Sequence, residues 1–162
     1  MARKYRWGIL GTGTIAAKMA QALGMVEEAE LAAVGSRSQE KADAFGEKFK
    51  VPRRHASYEA LAADGDLDVI YVATPHPLHK ENSLLCLREG KPVLCEKPFT
   101  VNAAEAREVV SFARARKLFL MEAMWSRFLP TVVRLRELLA ENAVGEVRMV
   151  QADFAFRTKP DP

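Results

Sequence analysis

The sequence predicts an α/β fold, a mostly parallel sheet doubly wound with helices on both faces. Three observations carry this. Strand and helix patterns alternate regularly to about residue 122, the rhythm that places a crossover helix between parallel strands. The run Leu67–Ala73 (LDVIYVA) is almost continuously apolar, as a strand covered on both faces must be. A glycine turn, Gly11-Thr12-Gly13, follows the first apolar run at once.

The elements follow in order. Tyr5–Leu10 is short, apolar and bounded by glycine, so it reads as a buried strand. A helix runs from about Thr14 to Val26, with Ile15, Met19, Leu23 and Val26 along one face. Leu31–Gly35 is the second strand. Ser38 caps the next helix, lined by Ala42, Phe45 and Phe49, and Pro52 stands just past its end. Arg53–Ala56 is a short edge strand, Ser57 caps a helix over Tyr58–Ala63, and Asp64-Gly65-Asp66 is a turn. After the apolar strand Leu67–Ala73, Thr74-Pro75-His76-Pro77 breaks the chain. Helix returns from about Leu78 to Glu89, with Gly90 as its C′ residue. Pro92–Glu96 is a further buried strand. Asn102 with Glu105 resembles a capping box and opens a helix to about Arg116. Leu118–Glu122 closes the series. Pro130 starts another helix, with Val132, Leu135, Leu138 and Leu139 on its apolar face and Gly145 at its end. From Glu146 the pattern alternates, so Val150, Ala152, Phe154 and Phe156 share one face of a strand.

The net charge is +3, from 24 basic and 21 acidic residues. That is too mild to imply nucleic acid, though it favours an anionic ligand. Arg3, Lys4 and Arg6 read as a solvated lead into the first strand. Cys86 and Cys95 fit neither a metal pattern nor a disulfide framework and are expected as buried thiols. No stretch has the length of a membrane span, and the N-terminus lacks the pattern of a signal peptide. A cytoplasmic setting is the expectation.

Gly11-Thr12-Gly13-Thr14-Ile15-Ala16 is G-x-G-x-x-A, placed after a strand and opening a helix. Gly11 permits the tight turn, Gly13 lets backbone approach a pyrophosphate, and Ala16 allows close strand–helix packing. The helix N-terminus adds free N–H groups and a positive dipole end. This is the signature of a Rossmann-type dinucleotide site. The second strand ends Val34-Gly35-Ser36-Arg37-Ser38 without the acid that would accept from a ribose 2′-hydroxyl. Ser36, Arg37 and Lys41 instead suit a 2′-phosphate, so NADP is expected over NAD. Thr74, His76 and His79 fall where the apolar strand meets its helix, and Glu96-Lys97 ends the next strand at the same edge. Lys97 could donate to a substrate hydroxyl or to nicotinamide ribose, with Glu96 tuning it through a charge pair. Trp125 and Arg127 fit either a pocket border or a hinge, and His55 is read as structural.

Together GTGTIA, ATPHPLHKENSLLCLREGKPVLCEKP and FLMEAMWSRF resemble the glucose–fructose oxidoreductase/inositol dehydrogenase (Gfo/Idh/MocA) family over essentially the whole chain. The likeness is greatest to its branch of dimeric dihydrodiol and NADP-dependent xylose dehydrogenases. The resemblance implies that Gly11, Thr12, Gly13 and Ile15 form the pyrophosphate turn, and that Ser36, Arg37 and Lys41 hold the 2′-phosphate. Thr74, His76, His79 and Glu96 would border the nicotinamide end. Lys97 would be the family's catalytic lysine, and Trp125 and Arg127 would reach over the cofactor. Many members have Asn where His76 stands. The implied organisation is a dinucleotide-binding domain, 1–123, followed over 124–162 by the first helix and strand of a truncated second α/β domain. In the family that domain shapes the pocket for a small sugar or dihydrodiol, supplies the acid/base, and usually forms a homodimer. Tyr5, Tyr58 and Tyr71 do not replace that acid/base, Tyr58 because it starts a helix away from the binding edge. Two other readings stay open: a non-catalytic NADP-sensing module, and a cofactor-binding fragment without turnover.

Overall fold

The computed structural model describes residues 3–155. The chain divides into two compact units, Met1–Met124 and Trp125–Pro162. The first unit contains β1 (Tyr5–Leu10), α1 (Thr14–Leu23), β2 (Ala29–Gly35), α2 (Gln39–Phe49), β3 (Arg53–His55), α3 (Tyr58–Ala62), β4 (Val69–Val72), α4 (His79–Arg88), β5 (Val93–Cys95), α5 (Ala103–Ala115) and β6 (Leu120–Glu122). All six strands are parallel, in the order β3-β2-β1-β4-β5-β6. The sheet is therefore wound outward in both directions from the β1–β4 pair, as the alternating pattern predicts.

Successive strand residues feed opposite faces. Ile9, Val34 and Tyr71 join Ala16, Ala20 and Phe45 beneath α1 and α2. Leu10, Ala33, Ile70 and Val72 join Leu61, Leu84, Leu87 and Val109 beneath α3, α4 and α5. Cys86 and Cys95 are buried free thiols. Burial pushes the first thiol up to about 12 and the second to about 11, so both pack as small inert groups.

Several expectations need correction. Helix α1 stops at Leu23, not Val26, and its buried residues are Ala16, Ala20 and Leu23. Ile15 and Val26 are exposed. Leu23 is buried and Met19 packs against the same core, as expected, while small Ala16 and Ala20 fill the rest of that face. Asn102 caps α5 by accepting from Glu105 N (3.0 Å), but Glu105 Oε2 accepts from Val101 N (3.2 Å), one residue before the cap. The second unit contains α6 (Pro130–Ala140), preceded by a 3-10 turn over Trp125–Phe128. The helix ends five residues short of Gly145. Residues 147–155 form no strand, and Phe156 lies outside the described residues. Alternation alone cannot make a strand, because its main-chain groups need a neighbouring strand to pair with. Among the described residues, no helix is long and apolar enough to cross a membrane, and no cluster of side chains could hold a metal ion.

The basic N-terminus is ion-paired, not simply solvated. Asp68 accepts from Arg6 N (2.8 Å) and from Arg3 Nη2 (2.6 Å). Arg6 and Arg53 share Asp66 at 3.1 and 2.8 Å. These contacts join the starts of β1, β3 and β4. The Arg6 main-chain N–H, helped by the Arg3 guanidinium, holds the Asp68 carboxyl below its ordinary value. A carboxyl depressed on folding stabilises the protein above its unfolded value and loses that effect as pH falls through the folded one. Asp68→Asn is expected to cost about 1 kcal/mol in urea unfolding at pH 7. The gap to the parent protein should narrow at pH 3, and a gap independent of pH would contradict the assignment.

Candidate dinucleotide site

The strands point their C-terminal ends to one edge, and β1 and β4 send their helices to opposite faces. Such a switch point opens a crevice. Gly11, with φ +111°, turns the chain out of β1, and a Cβ there would lie 2.7 Å from the Ala73 carbonyl oxygen. Gly11 N donates to Gly35 O at 2.8 Å, and Ala73 N donates to Leu10 O at 2.9 Å. The ends of β2, β1 and β4 are thereby held level.

Helix α1 begins differently from α2, α3 and α5, although α4 also lacks a side-chain cap. Ser38, Ser57 and Asn102 cap α2, α3 and α5 with side-chain oxygens. Gly13 heads α1 with no side-chain cap, and the first turn carries no acid. The first intrahelical bond is from Ala17 N to Gly13 O (3.1 Å), so the amides before it remain available to an anion. A Cβ on Gly13 would meet nothing within 4 Å, which leaves the approach open.

This turn lies in a cleft of about 1160 Å³ whose lining includes Gly11, Thr12, Gly13, Ser36, Arg37, Lys41 and Thr74. Arg37, Lys41 and Lys48 are its cationic lining, and among the described residues no Asp or Glu lines it. Phe45, Phe49 and Tyr58 supply aromatic surface. Tyr58 thus corrects the reading that put it away from the binding edge. The sequence could not reveal this, because the position of α3 depends on how β3 docks beside β2. Uncapped amides, a cationic rim and aromatic walls in one crevice fit a phosphorylated dinucleotide.

The other expected residues are placed less uniformly. Ile15 is exposed on the first turn of α1. Thr74 is 6% exposed, and its hydroxyl accepts from Asn82 Nδ2 at 2.9 Å. His76 opens a 3-10 turn on the surface and meets the His79 ring edge-on at 5.5 Å. His79 is wholly buried, with Nε2 2.8 Å from Thr74 O and Nδ1 2.8 Å from Pro98 O. Its ring ties two backbone segments together. Glu96 is buried and Lys97 exposed at the end of β5. The expected charge pair between them is absent. Glu96 accepts instead from the Tyr71 hydroxyl (2.5 Å) and from Lys97 N (2.9 Å). Burial, and then the bond to Glu96, push the Tyr71 phenol far above its usual range. Sequence reading missed this partnership, although a phenol inside an aliphatic run signals a hidden acceptor. Trp125 and Arg127 lie in the second unit, on its 3-10 turn.

Comparison with known proteins agrees with this geometry. Residues 5–124 match the model of an oxidoreductase family with an NAD-binding Rossmann fold, the Gfo/Idh/MocA family. The chain belongs to that family. It is 47% identical over 153 residues to trans-1,2-dihydrobenzene-1,2-diol dehydrogenase of Mus musculus, matching 93% of this chain and 46% of the relative. The enzyme of the same name from Sus scrofa is 48% identical over 92% of this chain and 45% of its own length. The chain therefore spans about half the length of these relatives. A 3-ketoreductase from Actinomadura kijaniata, solved with TDP-benzene and NADP, is similar with a TM-score of 0.81 and 34% identity, over 90% of this chain and 46% of that one. An NAD binding oxidoreductase from Klebsiella pneumoniae shares the fold, with a TM-score of 0.84 and 24% identity over 88% of this chain and 40% of that one.

The two glycines should separate on substitution. Gly13→Ala is expected to leave the melting temperature unchanged but to weaken dinucleotide binding about tenfold or more, because the methyl group enters the phosphate approach. Gly11→Ala is expected to destabilise the fold by at least about 1–3 kcal/mol, through its positive φ and the clash of a Cβ with the Ala73 carbonyl. Calorimetry and cofactor titration together check both, and equal effects of the two changes would contradict this division.

Proposed function

We propose that the protein as encoded is an NADP-dependent oxidoreductase. In this reading it moves a hydride between nicotinamide and a secondary alcohol or carbonyl of a small trans-dihydrodiol or sugar. One observation supports the cofactor choice above others: among the described residues, the cleft lining carries Arg37, Lys41 and Lys48 and no carboxylate. A carboxylate at the end of β2 would bind a ribose 2′-hydroxyl and repel a 2′-phosphate. Ser36, Arg37 and Lys41 would hold that phosphate, the amides of the glycine turn the pyrophosphate, and Thr74, His76 and Glu96 would stand at the nicotinamide end. Relatives named as dihydrodiol dehydrogenases, and a similar ketoreductase solved with NADP, support the reaction class.

When bound, the nicotinamide supplies the hydride donor or acceptor. The chain's own contribution is electrostatic. The exposed Lys97 ammonium would stabilise the oxyanion that forms as a substrate hydroxyl loses its proton. The second unit would open the substrate and dimer-forming domain.

Arg37→Ala is expected to weaken NADPH binding about tenfold to a hundredfold, the loss of one charge-assisted contact, while NADH binding is kept. Fluorescence titration with both cofactors measures this, and tighter binding of NADH by the parent protein would overturn the NADP reading. Lys97→Met is expected to cut turnover by about a hundredfold or more with NADPH affinity preserved. An unchanged rate would remove Lys97 from the chemistry.

A further inference from the structure

The Lys97–Phe99 loop is held peptide by peptide by side chains outside the cleft lining. Glu96 Oε2 accepts from Lys97 N at 2.9 Å. Its other oxygen accepts from the hydroxyl of Tyr71, which lies in β4 and is 3% exposed. Pro98 O meets His79 Nδ1 at 2.8 Å. Phe99 N donates to Glu122 Oε1, at the end of β6, at 2.9 Å. Glu96 is 8% exposed. Among the described residues, neither Glu96 nor Glu122 has a basic nitrogen within 4 Å. Their charge is answered by N–H and O–H donors.

Sheltering carboxylates without a counter-cation costs free energy that an apolar loop would not. A short surface loop needs no such arrangement merely to close. What it gains is a fixed backbone on both sides of the exposed Lys97. We propose that Tyr71 and Glu122 are positioning residues for Lys97. Tyr71 orients Glu96, which fixes the Lys97 amide, and Glu122 fixes the amide two residues on. Only the lysine side chain's own rotations then remain to be ordered. A displacement of about 1 Å at a catalytic group costs on the order of a hundredfold in rate, so this fixing has a kinetic consequence. The proposal rests on the role given to Lys97 above.

The test compares Tyr71→Phe, Glu122→Gln and Glu122→Ala in the protein as encoded, with two readouts. Amide hydrogen exchange reports the loop without any turnover. Exchange at Lys97 should rise about tenfold in Tyr71→Phe, and exchange at Phe99 should rise similarly in Glu122→Ala. Glu122→Gln, which keeps an acceptor oxygen, should restore protection at Phe99. In steady-state kinetics, kcat should fall about tenfold to a hundredfold in Tyr71→Phe and Glu122→Ala. KM and NADPH affinity should stay within about twofold, and Glu122→Gln should recover most of the rate. The Glu122 pair keeps the test open should Tyr71→Phe fail to fold. Unchanged exchange and kcat in a folded variant would overturn the proposal. So would a loss of kcat matched by equal losses of cofactor affinity and thermal stability, the mark of a merely structural role. If the parent protein turns over no substrate, the oxidoreductase reading fails, and the exchange data alone then decide whether these residues fix the loop.

Discussion

Gly11 has to pass within touching distance of the Ala73 carbonyl, and the rest of the site depends on that approach. With no side chain there, the chain leaving β1 presses against the chain leaving β4. Bonds from Gly11 N to Gly35 O and from Ala73 N to Leu10 O bring three strand ends to one level. The glycine turn, Ser36-Arg37 and Thr74 then face one crevice, although more than sixty residues of sequence separate the first from the last. Parallel pairing supplies the other condition, since only a parallel sheet delivers every β-to-α connection to the same edge.

Much of this was legible because strong local signals and the global fold agree. The apolar run around Val69–Val72, the glycine turn and the serine caps each named their element from sequence alone. Failures came where a residue's role depends on something distant. Ala16 was expected from the glycine motif to pack against the sheet, but Ala20 beside it was not, because hydrophobic periodicity does not register small residues. Alternation near Val150 promised a strand, but a strand is a property of a pair. Tyr71 and Glu96 are 25 residues apart and meet only because β4 and β5 are neighbours in register. The two backbone carbonyls against the His79 ring, those of Thr74 and Pro98, were equally out of reach of sequence reading.

Net charge was a weak guide because the charges are segregated. Asp66 and Asp68 are engaged by Arg3, Arg6 and Arg53 near the starts of β1, β3 and β4. At the opposite edge, among the described residues, Arg37, Lys41 and Lys48 have no carboxylate within 4 Å. Pairing on one side of the sheet leaves uncompensated cations on the other, together with the positive end of α1. A protein of nearly balanced composition can therefore present a concentrated anion site. Screening weakens such a field with distance but little within a partly enclosed cleft.

The two halves of the binding edge handle the backbone in opposite ways. Around Gly13, donors are left open and caps are withheld, because the ligand's phosphates are to complete the hydrogen bonding. Around Lys97, the two flanking amides that can donate are already satisfied by Glu96 and Glu122, and Pro98 has no amide to offer. An open turn can adjust to a flexible pyrophosphate, and each new bond adds affinity. In the role proposed for it, Lys97 would gain nothing from adjustable backbone, since every alternative pose dilutes the useful one. Under the proposed function, the contrast between open and closed donors would separate binding from chemistry along a single sheet edge, with Glu96 and Glu122 accepting from main-chain amides.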